Sequence, residues 1–324
     1  MHKHMIIRQE LVRALRGRIS QERLSARLGF RSNQLHRWEA GTGSLDWIQF
    51  TRLCEACKRN LPKTVHYVLG FGGNLKDAPG LIRHLAGTEK VSEIARKTGF
   101  SRFVVSKWLS GKSIPPLDVI LEMMESLQFI LVEFVGDLVP IESVPSLREV
   151  ASQLQKQKDL FYTHPEAEAV ICTLALAQYQ ALPRHKPGMI ADWIGITREQ
   201  EAFAISALEK VGLISERLGK FEVKTTQVDT QGNFFQALKI RRHWAKQYEK
   251  FINLCKPPEG PRSKTGYFLI DLSEVGEKKV HAAYLEYCFK LRAIAQSDFG
   301  AKKTVKLCNA QIIDLLQLGE LLKG

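Results

Sequence analysis

Cysteine is sparse and unpatterned. The six in 324 residues, Cys54, Cys57, Cys172, Cys255, Cys288 and Cys308, follow no framework spacing, which excludes a small disulfide-stapled scaffold and suits reduced thiols buried as small hydrophobes. Long apolar runs are missing too: the longest, 129–139 and 170–177, are short, and the first is broken by Glu133 and Asp137, so no membrane span is expected. No Gly-x-Ser-x-Gly, His-Glu-x-x-His or other nucleophile or metal signature occurs; catalytic residues, metal ligands and cofactors are therefore not assigned, and an enzyme is not expected. The opening Met1-His2-Lys3-His4-Met5 lacks the long apolar core and small-residue cleavage site of a secretory signal, which points to the cytoplasm. Acid is also in deficit. Against 34 Asp and Glu stand 47 Lys and Arg, a net charge of +13, and such an excess attracts polyanions, nucleic acid first.

What is present is ordinary globular composition, 44% hydrophobic and 25% charged, in a chain long enough for several domains. The charge is unevenly placed. Residues 1–75 carry 13 bases and 5 acids, 76–140 carry 8 of each, 141–230 carry 10 and 12, and 231–324 carry 16 and 9. Within the neutral block Arg96, Lys97, Arg102, Lys107 and Lys112 precede Asp118, Glu122, Glu125, Glu133 and Asp137, so base and acid fall on different elements. A solvated surface is the plain reading of such runs, but an internal repeat argues for more.

One constant offset matches Leu11 with Leu81, Leu15 with Leu85, Leu24 with Ile94, Gly29-Phe30 with Gly99-Phe100, Leu35 with Val105, Arg37 with Lys107, Trp38 with Trp108 and Gly41 with Gly111. In the first copy a helix over 21–28 is expected to end at Gly29, with Ser32 opening a second helix to Ala40; in the second, a helix over 91–98 ends at Gly99 and Ser101 caps a helix over 102–109. Further helices are expected at 45–57 and 117–127, and shorter ones around 11–15 and 81–85. Each copy has the helix-turn-helix shape.

These residues resemble the Cro/repressor-like (Xre) helix-turn-helix family, through 20–24, Gly29-Phe30 and 37–41 in the first copy and Ile94-Ala95, Gly99-Phe100-Ser101 and 106–116 in the second. The resemblance covers roughly 120 residues. The first copy departs from it at Ser25, where the family has a small Ala, and at Ser44-Leu45, where it has Pro. Helical spacing alone puts Leu35 with Trp38, and Val105 with Trp108, on buried faces. The opposite faces offer Arg31, Ser32, Asn33, Gln34, His36 and Arg37 in one copy and Arg102, Phe103, Ser106 and Lys107 in the other. Arg pairs with guanine, Asn or Gln with adenine, and Phe103 can meet a thymine methyl, so these are the candidate base readers. Arg18, Gln21, Ser101 and Lys112 lie near helix ends and suit phosphate contacts.

After a Pro-containing linker, 139–146, helices are expected at 147–160 and 165–179, then helix 190–196, helix 197–210 and a two-stranded wing over 211–223, an order resembling a winged helix. Its second helix carries Glu199, Glu201 and Glu209 beside Arg198, which would repel phosphates and favours a structural or interaction role. A small α/β unit is expected to close the chain: a helix from 233 to 254, a Pro/Gly-rich loop 256–264, a strand 267–272, a helix 274–296 and a strand 304–313. The stripe Val280, Ala283, Tyr284, Tyr287, Leu291 and Ile294 reads as core or a dimer seam. Through 207–214, 267–279 and 305–309 this half is similar to a bacterial winged-helix regulator family, abundant in predatory bacteria, whose conserved C-terminal domain has no assigned function.

The expectation is a mainly α chain with tandem helix-turn-helix units at 1–70 and 75–138, a winged-helix-like domain at 147–230 and a small α/β self-association or sensor domain at 231–324. It would be a regulator of transcription that reads double-stranded DNA, a homodimer, with scope for a small-molecule effector. A protein-interaction or antitoxin-like regulator, or an RNA binder, is the alternative; single-stranded RNA readers need exposed aromatics on a sheet, and only Phe103 is on offer. Cys54-x-x-Cys57 falls within an expected helix without a second ligand pair and reads as structural, and Gly70-Phe71-Gly72-Gly73 lacks a phosphate loop's Lys-Ser/Thr and reads as linker.

Overall fold

A computed structural model describes residues 2–87, 89–225, 228, 230, 234–254, 269–298, 300–308, 310–312 and 315. The chain is mainly helical, and its described strands form one small antiparallel pair. It divides into two compact units, Met1–Gln155 with Leu285–Gly300, and Lys156–Tyr284 with Ala301–Gly324. Among the described residues no helix is long and apolar enough to cross a membrane.

In the first unit the constant offset of the sequence becomes an offset of elements. The first copy folds as α1 (His2–Arg16), α2 (Gln21–Arg27), α3 (Gln34–Ala40), α4 (Trp47–Ala56) and α5 (Leu61–Thr64), the last continuing as a π-helical turn, Val65–Leu69. The second gives α6 (Ala78–Ala86), α7 (Val91–Thr98), α8 (Arg102–Leu109), α9 (Leu117–Gln128) and α10 (Leu131–Leu138). Short polar side chains open these helices by accepting an orphan backbone N–H: Ser20 for α2, Asp46 for α4, Asp77 for α6 and Ser101 for α8. One start differs from expectation. Asn33 rather than Ser32 caps α3, because the Asn33 carboxamide oxygen reaches the His36 N–H and leaves Ser32 in the preceding turn. Gly41 and Gly99 end α3 and α7 at φ of 78° and 73°, a left-handed conformation that favours glycine.

The two copies share one core. Trp47 and Phe50 of α4 stack near Phe134 of α10, with centroids 6.4 Å from its ring, in a cluster that runs from Ile7 to Leu147. The copies also meet through corresponding positions. Asp46 and its counterpart Pro116 form an isolated antiparallel β-bridge, and the Leu117 N–H donates to the Leu45 carbonyl at 2.6 Å. α4 packs on its counterpart α9 and α5 on its counterpart α10. A further contact breaks this correspondence: α1 is longer than α6 and lies along α9, a packing that α6 and α4 do not reproduce to the same extent.

The second unit takes up α11 (Pro145–Thr163) from its Lys156 onward and continues with α12 (Glu166–Leu174), α13 (Ala177–Gln180), α14 (Met189–Ile194) and α15 (Arg198–Lys210). A hairpin of β1 (Ile214–Arg217) and β2 (Lys220–Val223) follows, with Ile214 opposite Val223 and Arg217 opposite Lys220. Its two-residue turn, Leu218-Gly219, has positive φ at both positions, the geometry that matches strand twist. The helix expected over 165–179 is broken in two because Leu176 is extended at ψ 141°. Then come α16 (Phe234–Leu254) and α17 (Glu274–Ser297), whose C-terminal part belongs to the first unit, where Phe289 closes over Gly70.

The two C-terminal strands are a correction. Leu269–Ser273 and Ala301–Cys308 carry no strand, and Leu269, Ile270, Leu272, Val305 and Leu307 are exposed; without a ladder partner a strand leaves its backbone groups unpaired. Tyr267, Phe268 and the loop 256–264 lie outside the described residues, as does Ile313.

Candidate nucleic-acid interface

The face of α3 and the turn before it is set by what anchors its back. Leu35 and Trp38 are fully buried; the Trp38 ring meets Phe30 edge-on at 5.3 Å, and its indole N–H donates to the Ser44 carbonyl at 2.9 Å. With that side fixed, Arg31, Ser32, Asn33, His36 and Arg37 are exposed and Gln34 is half-buried. The second copy repeats the device. Val105 and Trp108 are buried, Phe100 meets Trp108 edge-on at 4.8 Å, and Ser101, Arg102, Phe103, Ser106 and Lys112 are exposed. Lys107 is half-buried with its ammonium 4.3 Å from the centre of the Phe103 ring, a cation–π contact that presents both side chains together.

The backbone ends of α3 and α8 are held by equivalent arginines. Arg13 donates to the Glu39 carbonyl at 2.6 Å, and Arg83, its counterpart in the second copy, donates to the Leu109 carbonyl at 2.9 Å. Such bonds also satisfy carbonyls that a helix C-terminus leaves open. Arg31, Arg37 and Arg102 make no ion pair with another described residue, which leaves their guanidinium groups for a ligand.

Sequence reasoning missed a buried ionic cluster behind α3. The Glu39 carboxylate, 6% exposed, accepts from Arg16 Nε at 2.6 Å, Arg16 Nη2 at 3.3 Å and Gln21 Nε2 at 2.6 Å. Gln21, assigned above to phosphate, thus has its amide committed to Glu39, whereas Arg18 stays exposed. The second copy has Ala86, Val91 and Leu109 at the corresponding positions, an apolar set. Setting the copies side by side exposes this three-residue exchange, and that was the available signal. The second copy has its own shielded pair elsewhere, Lys97 with Glu89 at 2.5 Å.

A second ionic group pins the copies to each other. Lys3 Nζ and His4 Nε2 meet the Glu125 carboxylate at 2.6 and 2.7 Å. The hydrogen bond from His4, reinforced by Lys3, overcomes the effect of burial and pushes the Glu125 carboxyl down to about 2. Arg8 is buried, donates to the Gly43 carbonyl at 3.0 Å and lies 3.8 Å from Asp118; burial lowers its pKa against the pull of that carboxylate.

In the second unit Glu201 needs correction as a surface charge. It is 1% exposed and accepts from the Gly188 and Ala191 N–H groups at 2.9 and 2.5 Å, holding the start of α14. Glu199 and Glu209 remain on the exposed side of α15 with Arg198 and Lys210. Cys54 is buried on α4, Cys57 ends that helix, and burial pushes both thiols up, away from thiolate chemistry. No known family model, curated protein or solved structure matches the chain.

Proposed function

We propose that the chain is a sequence-specific regulator of transcription that binds double-stranded DNA and reads the major groove with α3 and α8, its tandem helix-turn-helix units. One observation carries the reading. On both helices the inner face is locked by a Trp–Phe pair and a backbone-tethering arginine, while the outer face presents base-reading side chain types. A rigid mount matters because the helix then needs no ordering on binding, and only the exposed side chains lose rotamer freedom. Arg18, Ser101 and Lys112 are exposed near helix ends and are assigned to phosphate contacts. The winged-helix-like region is assigned a structural or interaction role, and self-association would double the site.

The test is selection from a random duplex library by the purified chain at two salt concentrations. An enriched motif longer than one helical turn is expected. Binding without a motif that vanishes as salt rises would reduce the charge to an electrostatic footprint and direct the search to a protein partner. Within an enriched motif, Arg37→Ala is expected to cost ~1–3 kcal/mol at one base pair, whereas Lys112→Ala weakens every sequence alike and flattens the salt slope. Equal loss on all sequences for Arg37→Ala would remove it from base reading.

A further inference from the structure

Resting on the reading of α3 and α8 as the base-reading helices, we infer that one chain recognises two unlike half-sites in inverted orientation, as a covalent counterpart of a two-fold dimer. Contacts between equivalent positions carry this. Under a two-fold rotation a position on the axis contacts its own counterpart, whereas units set head to tail contact through different patches. Here Asp46 bridges its own counterpart, Pro116, and the bridge is antiparallel, as a two-fold requires. α5 packs on α10, its counterpart, which carries Leu131 and Val135 where the first copy has Leu61 and Val65.

The same bridge limits how far apart the ends of the reading helices can lie. α3 ends at Ala40 and α8 at Leu109, so Asp46 and Pro116 lie six and seven positions further along the chain. At about 3.5 Å per residue neither helix end lies more than roughly 25 Å from the bridge. The pair can therefore span the 34–36 Å or so between major-groove faces one turn apart on one side of a duplex, but not two turns.

The two faces are chemically different at matching positions. Asn33 corresponds to Phe103, Ser32 to Arg102, His36 to Ser106 and Arg37 to Lys107. Arg binds guanine through a planar fork that Lys lacks, and Phe103 favours a thymine methyl where Asn33, its carboxamide oxygen engaged in capping α3, has only its NH2 to donate. The contacts of Lys3 and His4 with Glu125 are one-sided, since Gly73, Asn74 and Glu55 stand at the corresponding positions. The copies cannot exchange places, so each half-site has a fixed reader.

The duplex selection above also decides this, through the order of bases within the retained motif. Two different half-sites, inverted and about 10 bp centre to centre, are expected. Arg37→Ala should relax preference at a base pair in one half only and Phe103→Ala at a base pair in the other, each with a loss of roughly 5- to 150-fold on the intact site. Both residues are exposed, and unchanged circular dichroism would show that the variants fold. Half-sites in the same direction, a palindrome of identical halves, or loss in both halves from either variant would overturn the inference while leaving DNA reading intact. Absence of any motif would instead overturn the reading beneath it.

Discussion

The two copies of the first unit are built on one backbone plan and stabilised by different chemistry. Both set a tryptophan edge-on to a phenylalanine, and both tie the end of the presenting helix with an arginine on the first helix. Behind that, the first copy buries Glu39 with Arg16 and Gln21, whereas the second fills the same positions with Leu109, Ala86 and Val91. The lesson is that the fold specifies a filled volume and a tethered helix end, and is indifferent to whether the filling is ionic or apolar, provided every buried charge has its partner.

The comparison breaks hardest at the tryptophans. Trp38→Ala and Trp108→Ala should each cost about 3–5 kcal/mol in urea unfolding, Trp38→Ala the more because its indole N–H also bonds Ser44. Because the copies share a core, either variant should lower one common transition of the first unit. Separate transitions for the two copies would contradict the shared core.

Next in size is the ionic cluster. Glu39→Ala leaves the half-buried Arg16 with only backbone carbonyls such as that of Ile19 as partners and should cost about 2 kcal/mol. Installing the second copy's own residues, Arg16→Ala with Gln21→Val and Glu39→Leu, should recover most of that loss. A triple variant as unstable as the single one would mean that the two copies are not interchangeable in packing.

A smaller effect tests the link between the copies. The folded pKa of Glu125, about 2, lies below its ordinary value of 4.5, so its contribution is complete above about 4.5 and is lost as pH falls towards 2. Its partial exposure limits this to about 1 kcal/mol. Glu125→Gln should flatten the acid limb of the stability curve, between about pH 4.5 and 2, by that amount.

The smallest expectation concerns Ser25, buried with a hydroxyl that has no hydrogen-bond partner, where the second copy has Ala95. Ser25→Ala should be neutral or stabilise by up to about 1 kcal/mol in the same unfolding measurement. A clear loss would show that the hydroxyl is used.

Much of this architecture was legible because its signals are local. The repeat, the glycines that end α3 and α7, the capping serines, the tryptophan stripes and the hairpin at 214–223 all act within a short stretch of chain. Two misses were equally local: Asn33 outcompeted Ser32 as a cap, and Leu176 interrupted a continuous apolar pattern. The candidate faces on α3 and α8 followed from periodicity. Gln21 did not, since its surface position hides an amide turned towards Glu39.

The sequence alone therefore determined the helices on either side of each repeated turn, their tandem repetition and which side of α3 and α8 is free, because these follow from helical periodicity and from capping chemistry, whereas α5 and α10 were not legible. Only the tertiary structure decided that the copies join through corresponding positions in one core, that Glu39 and Glu201 are buried anchors and that α1 crosses to α9. Those outcomes depend on partners distant in the chain, such as Lys3 with Glu125 or Asp46 with Pro116, and no local propensity encodes so remote a partner.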